Sequence, residues 1–182
     1  ICGNLLSLAF AGMRAALRSS SPPTALPAER PVPAQLMSVP FFHATGCHSV
    51  LCGNTAQGGK PVVMYRWDPE RARELIERER ITSFGGVPSM GWQVLESPSF
   101  ARRDTSSVKS VGYGGAPAAP ELVRRIREAF PSVTASNGYG LTETSSVTTF
   151  NSGEDYVRRP DSVGVPVAVC DLRIVDSEGK QV

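Results

Sequence analysis

The stretch "SVKSVGYGGAPAAPELVRRIREAFPSVTASNGYG", residues 107–140, decides the fold. Its first part, "SVKSVGYGGAP", reads as a strand running into a glycine turn. In "APELVRRIREAF" the residues Leu122, Val123, Ile126, Ala129 and Phe130 share one face, while Arg124, Arg127 and Glu128 point away. That is the 3.6-residue pattern of a helix covered on one side. "SVTASNGYG" is a second strand and turn. Strand, covered helix and strand in this order define a unit whose strands run parallel.

The same alternation repeats outward from this unit. On the N-terminal side, "WDPERARELIERERI" carries a capping Asp68, a proline at the first helical position and a Glu74–Arg78 pair one turn apart. Its apolar stripe is Ala72, Leu75 and Ile76, and the Arg-rich faces read as solvated surface. "ITSFGG" follows as a strand, and Pro88 opens another helix through Trp92 and Leu95. Earlier still, "PVVMY" is a buried-type strand. A helical segment from about Cys47 to Gln57 precedes it, and "QLMSVPF" is a short strand ending in the loop "FHATG". Residues 4–18 read as an amphipathic helix. A Pro/Ser-rich connector near 19–34 cannot be regular structure. At the C-terminal end, "VAVCDLRIVDSEG" reads as a strand of a different, antiparallel unit. The fold class is therefore α/β, a mainly parallel sheet with flanking helices and the start of an antiparallel unit over about 160–182.

Composition restricts the function classes. The hydrophobic share is 41% and the charged share 20%, with a net charge of +2 and interspersed signs. These values exclude collagen-like, coiled-coil and disordered chains. No basic block or aromatic RNA-binding run points to nucleic acid. The four cysteines form no C-x-x-C pair, and the two histidines are His43 and His48, so the spacing does not suit a closed zinc site. Scattered cysteines point to a reducing, cytoplasmic setting. The run "NLLSLAFAGM" meets Arg14 and is too short to span a bilayer, which takes about 20 apolar residues. The chain begins at Ile1 and reads as a fragment of a longer protein.

In an open parallel sheet, ligands sit beyond the carboxyl ends of the strands. Three loops fall there: "FHATG", "GYGGAP" and "NGYGLTE". In the last, Gly138 and Gly140 let backbone approach a ligand, and Tyr139 offers a face to a purine. Thr142 offers a hydroxyl to a phosphate. Glu143 offers a hard oxygen suited to Mg²⁺. A turn or capping role for Thr142 and Glu143 stays open, as does a purely structural His43 and a plain tight turn at "GYGGAP". That last string fails the G-x-G-x-x-G fingerprint at Pro117, "GVPSMG" is no nucleophile elbow, and "QGGKP" is no phosphate loop.

Taken together, "NGYGLTET", "VPFFHATG", "GVPSM", "SVGYGGAPAAPELVRRIREAFP" and "RPDSVGVPV" resemble the adenylate-forming superfamily. That superfamily contains acyl-CoA synthetases, luciferases and peptide-synthetase adenylation domains. The resemblance covers nearly all of residues 1–182, as a partial AMP-binding domain from the middle of the large N-terminal domain. "DPERARELIERERITSFGGVPSMGWQVLESP" is most similar to the fatty-acyl or medium-chain CoA ligase branch. The resemblance implies that Gly114, Gly115, Ala116 and Pro117 line the adenine and acyl pocket. Asn137 and Gly138 would meet the adenine edge, Tyr139 would stack on the ring, and Gly140 would leave room beside it. Thr142 would bond a phosphate and Glu143 would hold Mg²⁺. His43 would sit where the acyl and nucleotide pockets join. The implied reactants are a carboxylic acid, ATP and coenzyme A. The family's lysine-bearing phosphate loop, ribose-binding aspartate and catalytic lysine are expected outside residues 1–182, so the isolated chain is expected to be inactive and to self-associate through uncovered apolar surface. A nucleotide- or acyl-binding module without chemistry, and an adenylation domain with another acid and acceptor, remain alternatives.

Overall fold

The computed structural model describes residues 1–18, 32–98 and 100–182. The expected connector near 19–34 therefore falls mostly outside the described residues, and Ala34 already belongs to the first strand. In chain order the elements are α1 (Cys2–Leu17), β1 (Ala34–Met37), a π-helical turn (Thr45–Leu51) leading into α2 (Cys52–Ala56), β2 (Lys60–Val63), α3 (Pro69–Arg78), β3 (Ser83–Gly86) and α4 (Pro88–Glu96). A short 3₁₀ turn (Phe100–Arg102) precedes β4 (Ser110–Gly114), α5 (Pro120–Ala129), β5 (Thr134–Leu141), β6 (Ser146–Ser152), α6 (Gly153–Arg158) and β7 (Val165–Pro166).

The strands form one sheet in the order β2-β1-β3-β4-β5-β6-β7. The first five run parallel, whereas β6 and β7 pair antiparallel. The order reverses direction between β1 and β3. In an open α/β sheet that reversal leaves a crevice beyond the strand ends.

Two expectations change at the end of β5. Gly138, Tyr139 and Gly140 are strand rather than turn, and the chain folds back after Leu141 into the β5–β6 hairpin. The antiparallel partner is thus β6. Most of "VAVCDLRIVDSEG" forms no strand, and a single bridge joins Val175 to Gln181.

One face of the parallel strands is packed by α3, α4 and α5. Asp68 caps α3 by accepting the Arg71 N–H at 2.7 Å, and Glu74 pairs with Arg78 at 3.1 Å. Ala72, Leu75 and Ile76 are buried against the sheet, as are Leu122, Val123 and Ile126 of α5. Full burial of each large aliphatic side chain stabilises by roughly 1.5–3 kcal/mol. Phe130 joins Phe84 and Phe100 edge-on, with centroids 5.9 and 5.7 Å apart.

The arginines are not all on solvated faces. Arg73 of α3 is fully buried. Its guanidinium lies 4.3 Å from the centre of the Phe100 ring and donates to the Phe100 and Arg103 carbonyls. Burial, ahead of the nearby Arg103 charge, lowers its pKa from the usual arginine value.

In the loop before β4, the Ser106 backbone N–H donates to Asp104, which also pairs with Arg80 at 2.6 Å. The Ser106 bonds, then Arg80, hold the Asp104 carboxyl down to about 2. A folded value below the unfolded one of about 3.9 stabilises the fold above that range, and the contribution disappears as pH falls through the folded value. Asp104→Asn should therefore lower the urea midpoint at pH 6, and the difference from wild type should shrink progressively as pH falls toward about 2 and below.

One face of α1 is exposed among the described residues. Leu6, Phe10, Met13 and Leu17 recur at helical spacing and are 66%, 51%, 65% and 64% exposed. Monomers rarely expose contiguous apolar patches larger than a few hundred Å². Sedimentation velocity of the isolated 182-residue chain should show concentration-dependent association that Leu6→Glu with Met13→Glu reduces. A clean monomer would contradict this. No helix among the described residues is long and apolar enough to cross a membrane.

Candidate adenylate-forming site

The sheet face opposite α3–α5 is almost bare at the carboxyl ends of its strands. Register places Gly85 beside Gly112 and Ser136, and Gly114 beside Gly138. These positions share one side of the pleat, so three adjacent strands present backbone and one small hydroxyl there. Over this floor stand α1, the π-helical turn and the β5–β6 hairpin. They enclose a cleft of about 500 Å³.

The glycines differ in what they permit. A Cβ on Gly140 would lie 1.4 Å from the Ser146 carbonyl oxygen, across a β-bulge at Tyr139/Gly140. Gly140 is therefore required by the hairpin, through close backbone approach rather than through positive φ. A Cβ on Gly138 would meet the Phe150 ring at 3.6 Å and the Thr149 carbonyl oxygen at 4.0 Å, both ordinary contacts. The chain's own packing thus leaves room for a side chain at Gly138, and the bare surface there faces the cleft. Gly115, at φ 74, makes the turn out of β4.

Eight of the residues singled out in the sequence line this one cleft: His43, Gly114, Gly115, Gly138, Tyr139, Gly140, Thr142 and Glu143. Three do not. Ala116 and Pro117 are exposed in the turn beyond Gly115. Asn137 is 5% exposed, because its position on β5 points to the helix-covered side, in register with buried Tyr113. Two residues on, beside the bulge, that side of the strand is no longer covered, and Tyr139 is 46% exposed. A ring held by core packing would be buried.

The hairpin tip holds itself in shape. The Thr144 backbone N–H donates to the Leu141 carbonyl at 3.2 Å, and that of Ser145 donates to the Thr142 carbonyl at 3.0 Å. The Thr144 hydroxyl donates to the Leu141 carbonyl and accepts from its N–H. Thr142 and Glu143 remain exposed at the tip. His43 is exposed at the mouth, where its Nδ1 accepts the Thr45 N–H at 3.2 Å.

Several residues of the site carry no local signal in the sequence. Ser49 and Ser146, 97 positions apart, share a hydrogen bond of 2.7 Å on the cleft wall. Ser136 on the floor and Phe150 on the side read as ordinary strand residues. Cysteine and histidine spacing brought His48 into view only as a zinc candidate, yet its Nδ1 lies 3.0 Å from the Ser145 hydroxyl.

Among the described residues, the cleft lining offers a magnesium ion one carboxylate, that of Glu143. Glu143 takes part in none of the ion pairs among the described residues. No group of three or more His, Cys, Asp and Glu side chains able to hold a metal occurs among them. One carboxylate without a cage suits an ion that keeps its waters and takes phosphate oxygens.

A parallel α/β sheet with this cleft at its reversal point, a bare glycine floor and a Tyr-Gly-Leu-Thr-Glu hairpin defines an adenylate-forming domain. The chain belongs to the AMP-binding enzyme family: the model described as "AMP-binding enzyme" matches residues 7–182. Among curated relatives, it is 34% identical over 149 residues to "4-coumarate--CoA ligase-like 5" of Oryza sativa subsp. japonica, covering 81% of this chain and 27% of that protein. It is 31% identical over 143 residues to "4-coumarate--CoA ligase 1" of Petroselinum crispum, covering 77% and 26%. The chain spans about a quarter of the length of these relatives. A solved putative long-chain-fatty-acid CoA ligase from Rhodopseudomonas palustris superposes with TM-score 0.74 at 26% identity, covering 99% of this chain and 41% of that one. The o-succinylbenzoate coenzyme A synthetase of Bacillus subtilis, in complex with ATP and magnesium ion, shares the fold with TM-score 0.74 at 24% identity, covering 99% and 34%. The names of these proteins do not converge on one acid.

Proposed function

We propose that this chain is the central part of the adenylating domain of an AMP-forming acid–thiol ligase. Such an enzyme activates a carboxylic acid with ATP to an acyl-adenylate and passes the acyl group to coenzyme A. The observation that carries this reading is the convergence of Gly114, Gly138, Tyr139, Thr142, Glu143 and His43 on one cleft at the sheet's reversal point.

The roles follow from position. Gly114, Gly115 and Gly138 offer bare backbone to a flat base, and Tyr139 offers its ring. Thr142 donates to a phosphate oxygen. Glu143 holds Mg²⁺, which when bound supplies charge neutralisation at the phosphates. His43 orients the acid at the mouth. The attacking carboxylate is already a nucleophile and needs no base. The obstacle is bringing one anion in line with another, so the site works by positioning and electrostatic compensation. Leu8, Val50, Val147 and Phe150 give the cleft an apolar wall. We infer a fatty acid as the substrate. The four cysteines, all free, accord with a cytoplasmic enzyme.

Among the described residues no Lys or Arg lines the cleft, so the charge of a triphosphate is not balanced by these residues alone. The test is acid-dependent pyrophosphate release and acyl-CoA formation by the intact protein, with fatty acids of graded length and 4-coumarate. Turnover of ~1–10³ per second with fatty acids is expected, and none from the isolated 182-residue chain. Preference for 4-coumarate would overturn the acid. Nucleotide binding by the intact protein without pyrophosphate release from any acid would overturn the ligase reading in favour of a binding module.

A further inference from the structure

We propose that His48 is a positioning residue that clamps the hairpin tip carrying Thr142 and Glu143. The inference rests on the roles proposed above for those two side chains. The tip closes through Ser145 and Ser146, and both have positive φ, 59° and 99°. A side chain with a Cβ adopts that backbone rarely, and it persists where the surroundings over-determine it. The surroundings here are two consecutive residues of the π-helical turn. His48 Nδ1 meets the Ser145 hydroxyl at 3.0 Å, and the Ser49 hydroxyl meets that of Ser146 at 2.7 Å. A π-helical segment is itself uncommon and recurs at functional sites. Asn4 of α1, 4% exposed, ties the two partners together from a third side. Its Nδ2 donates to the His48 carbonyl at 3.2 Å, and its Oδ1 accepts the Val147 N–H at 3.3 Å.

The two clamp bonds do different things. Ser49 and Ser146 both line the cleft, so their pair can be replaced or reordered by a ligand. His48 and Ser145 stand behind the lining. Ser145 passes the constraint on through its own N–H, which donates to the Thr142 carbonyl. The imidazole thus holds the backbone from which Thr142 and Glu143 project, without touching the ligand.

The experiment uses the intact protein with His48→Ala, His48→Asn and Ser145→Ala. It reads hydrogen exchange of the amides of residues 141–146 and the affinity for Mg·ATP by calorimetry. Asn is chosen because its amide reaches close to the place of Nδ1. Loss of one such bond should speed exchange at the tip about three- to tenfold in both Ala variants, with β3 and β4 unchanged. His48→Asn should restore protection, and Mg·ATP affinity should fall with tip protection. Unchanged exchange at 141–146, or acceleration spread equally over the whole sheet, overturns the clamp. Faster, Asn-rescued exchange with unaltered Mg·ATP affinity upholds the clamp and instead removes the phosphate and metal roles of Thr142 and Glu143.

Discussion

Glu143→Ala in the intact protein should lower the rate of acid-dependent adenylation by roughly 10²–10³-fold, the usual loss when one preorganised electrostatic contact is removed. The carboxylate is exposed at the tip of the β5–β6 hairpin and engages no cation among the described residues. Its removal leaves no cavity and no orphaned buried partner, so melting temperature should change little. The loss should fall on kcat, because charge on the transferring phosphorus is highest as it is attacked. Raising Mg²⁺ should recover part of the rate if weak sites on the nucleotide fill. Titrating Mg²⁺ against initial rate for both proteins checks this. Full activity of Glu143→Ala at every Mg²⁺ concentration would remove the metal role.

Gly140→Val should be at least as damaging, for a different reason. The added Cβ would lie 1.4 Å from the Ser146 carbonyl oxygen and 2.4 Å from its carbon. Both are backbone atoms, and no rotamer change can move them. The strands must part at the bulge, which costs roughly 1–3 kcal/mol or more as overpacking. Opening the bulge also displaces the tip, and a shift of about 1 Å in positioning groups can cost about 10²-fold in rate. Gly138→Ala supplies the contrast. Its Cβ comes no nearer than 3.6 Å to any neighbour, the Phe150 ring, so melting should stay near wild type while nucleotide affinity falls. Thermal melts and ATP titrations of the two variants separate a glycine required by the hairpin from one left bare for a ligand.

Much of the parallel sheet was legible because its signals are local. The Asp68 cap, Pro69 and the Ala72–Leu75–Ile76 stripe specify α3 within a dozen residues, and the Leu122–Ile126 face does the same for α5. The three crevice loops could be placed by topology alone, since parallel strands put all their carboxyl ends on one side. The hairpin was harder. Two glycines around Tyr139 resemble a turn, yet they are strand residues thinned for a bulge and a bare floor. The position of Asn137 depends on the same feature: with β5 running through to Leu141, alternation turns that side chain under the helices. Arg73 looked solvated because a buried guanidinium needs the Phe100 ring and two carbonyls brought from the next loop. The His48–Ser145 and Ser49–Ser146 bonds join residues 97 apart. Nothing in either segment encodes such a pair until the π-helical turn is laid over the hairpin.

The central claim is that this cleft holds an acyl-adenylate, with the Tyr139 ring on the base. It is tested most directly by titrating a non-hydrolysable fatty-acyl sulfamoyl adenosine into the intact protein and into its Tyr139→Ala and Tyr139→Phe variants. Intermediate analogues bind far more tightly than substrates, and stacking of a base on an aromatic ring is worth about 1–3 kcal/mol. The account predicts tight binding by wild type, a loss of roughly ten- to a hundredfold in Tyr139→Ala with melting unchanged, and near-wild-type affinity in Tyr139→Phe. Failure of the analogue to bind, or equal affinity in wild type and Tyr139→Ala, would contradict it.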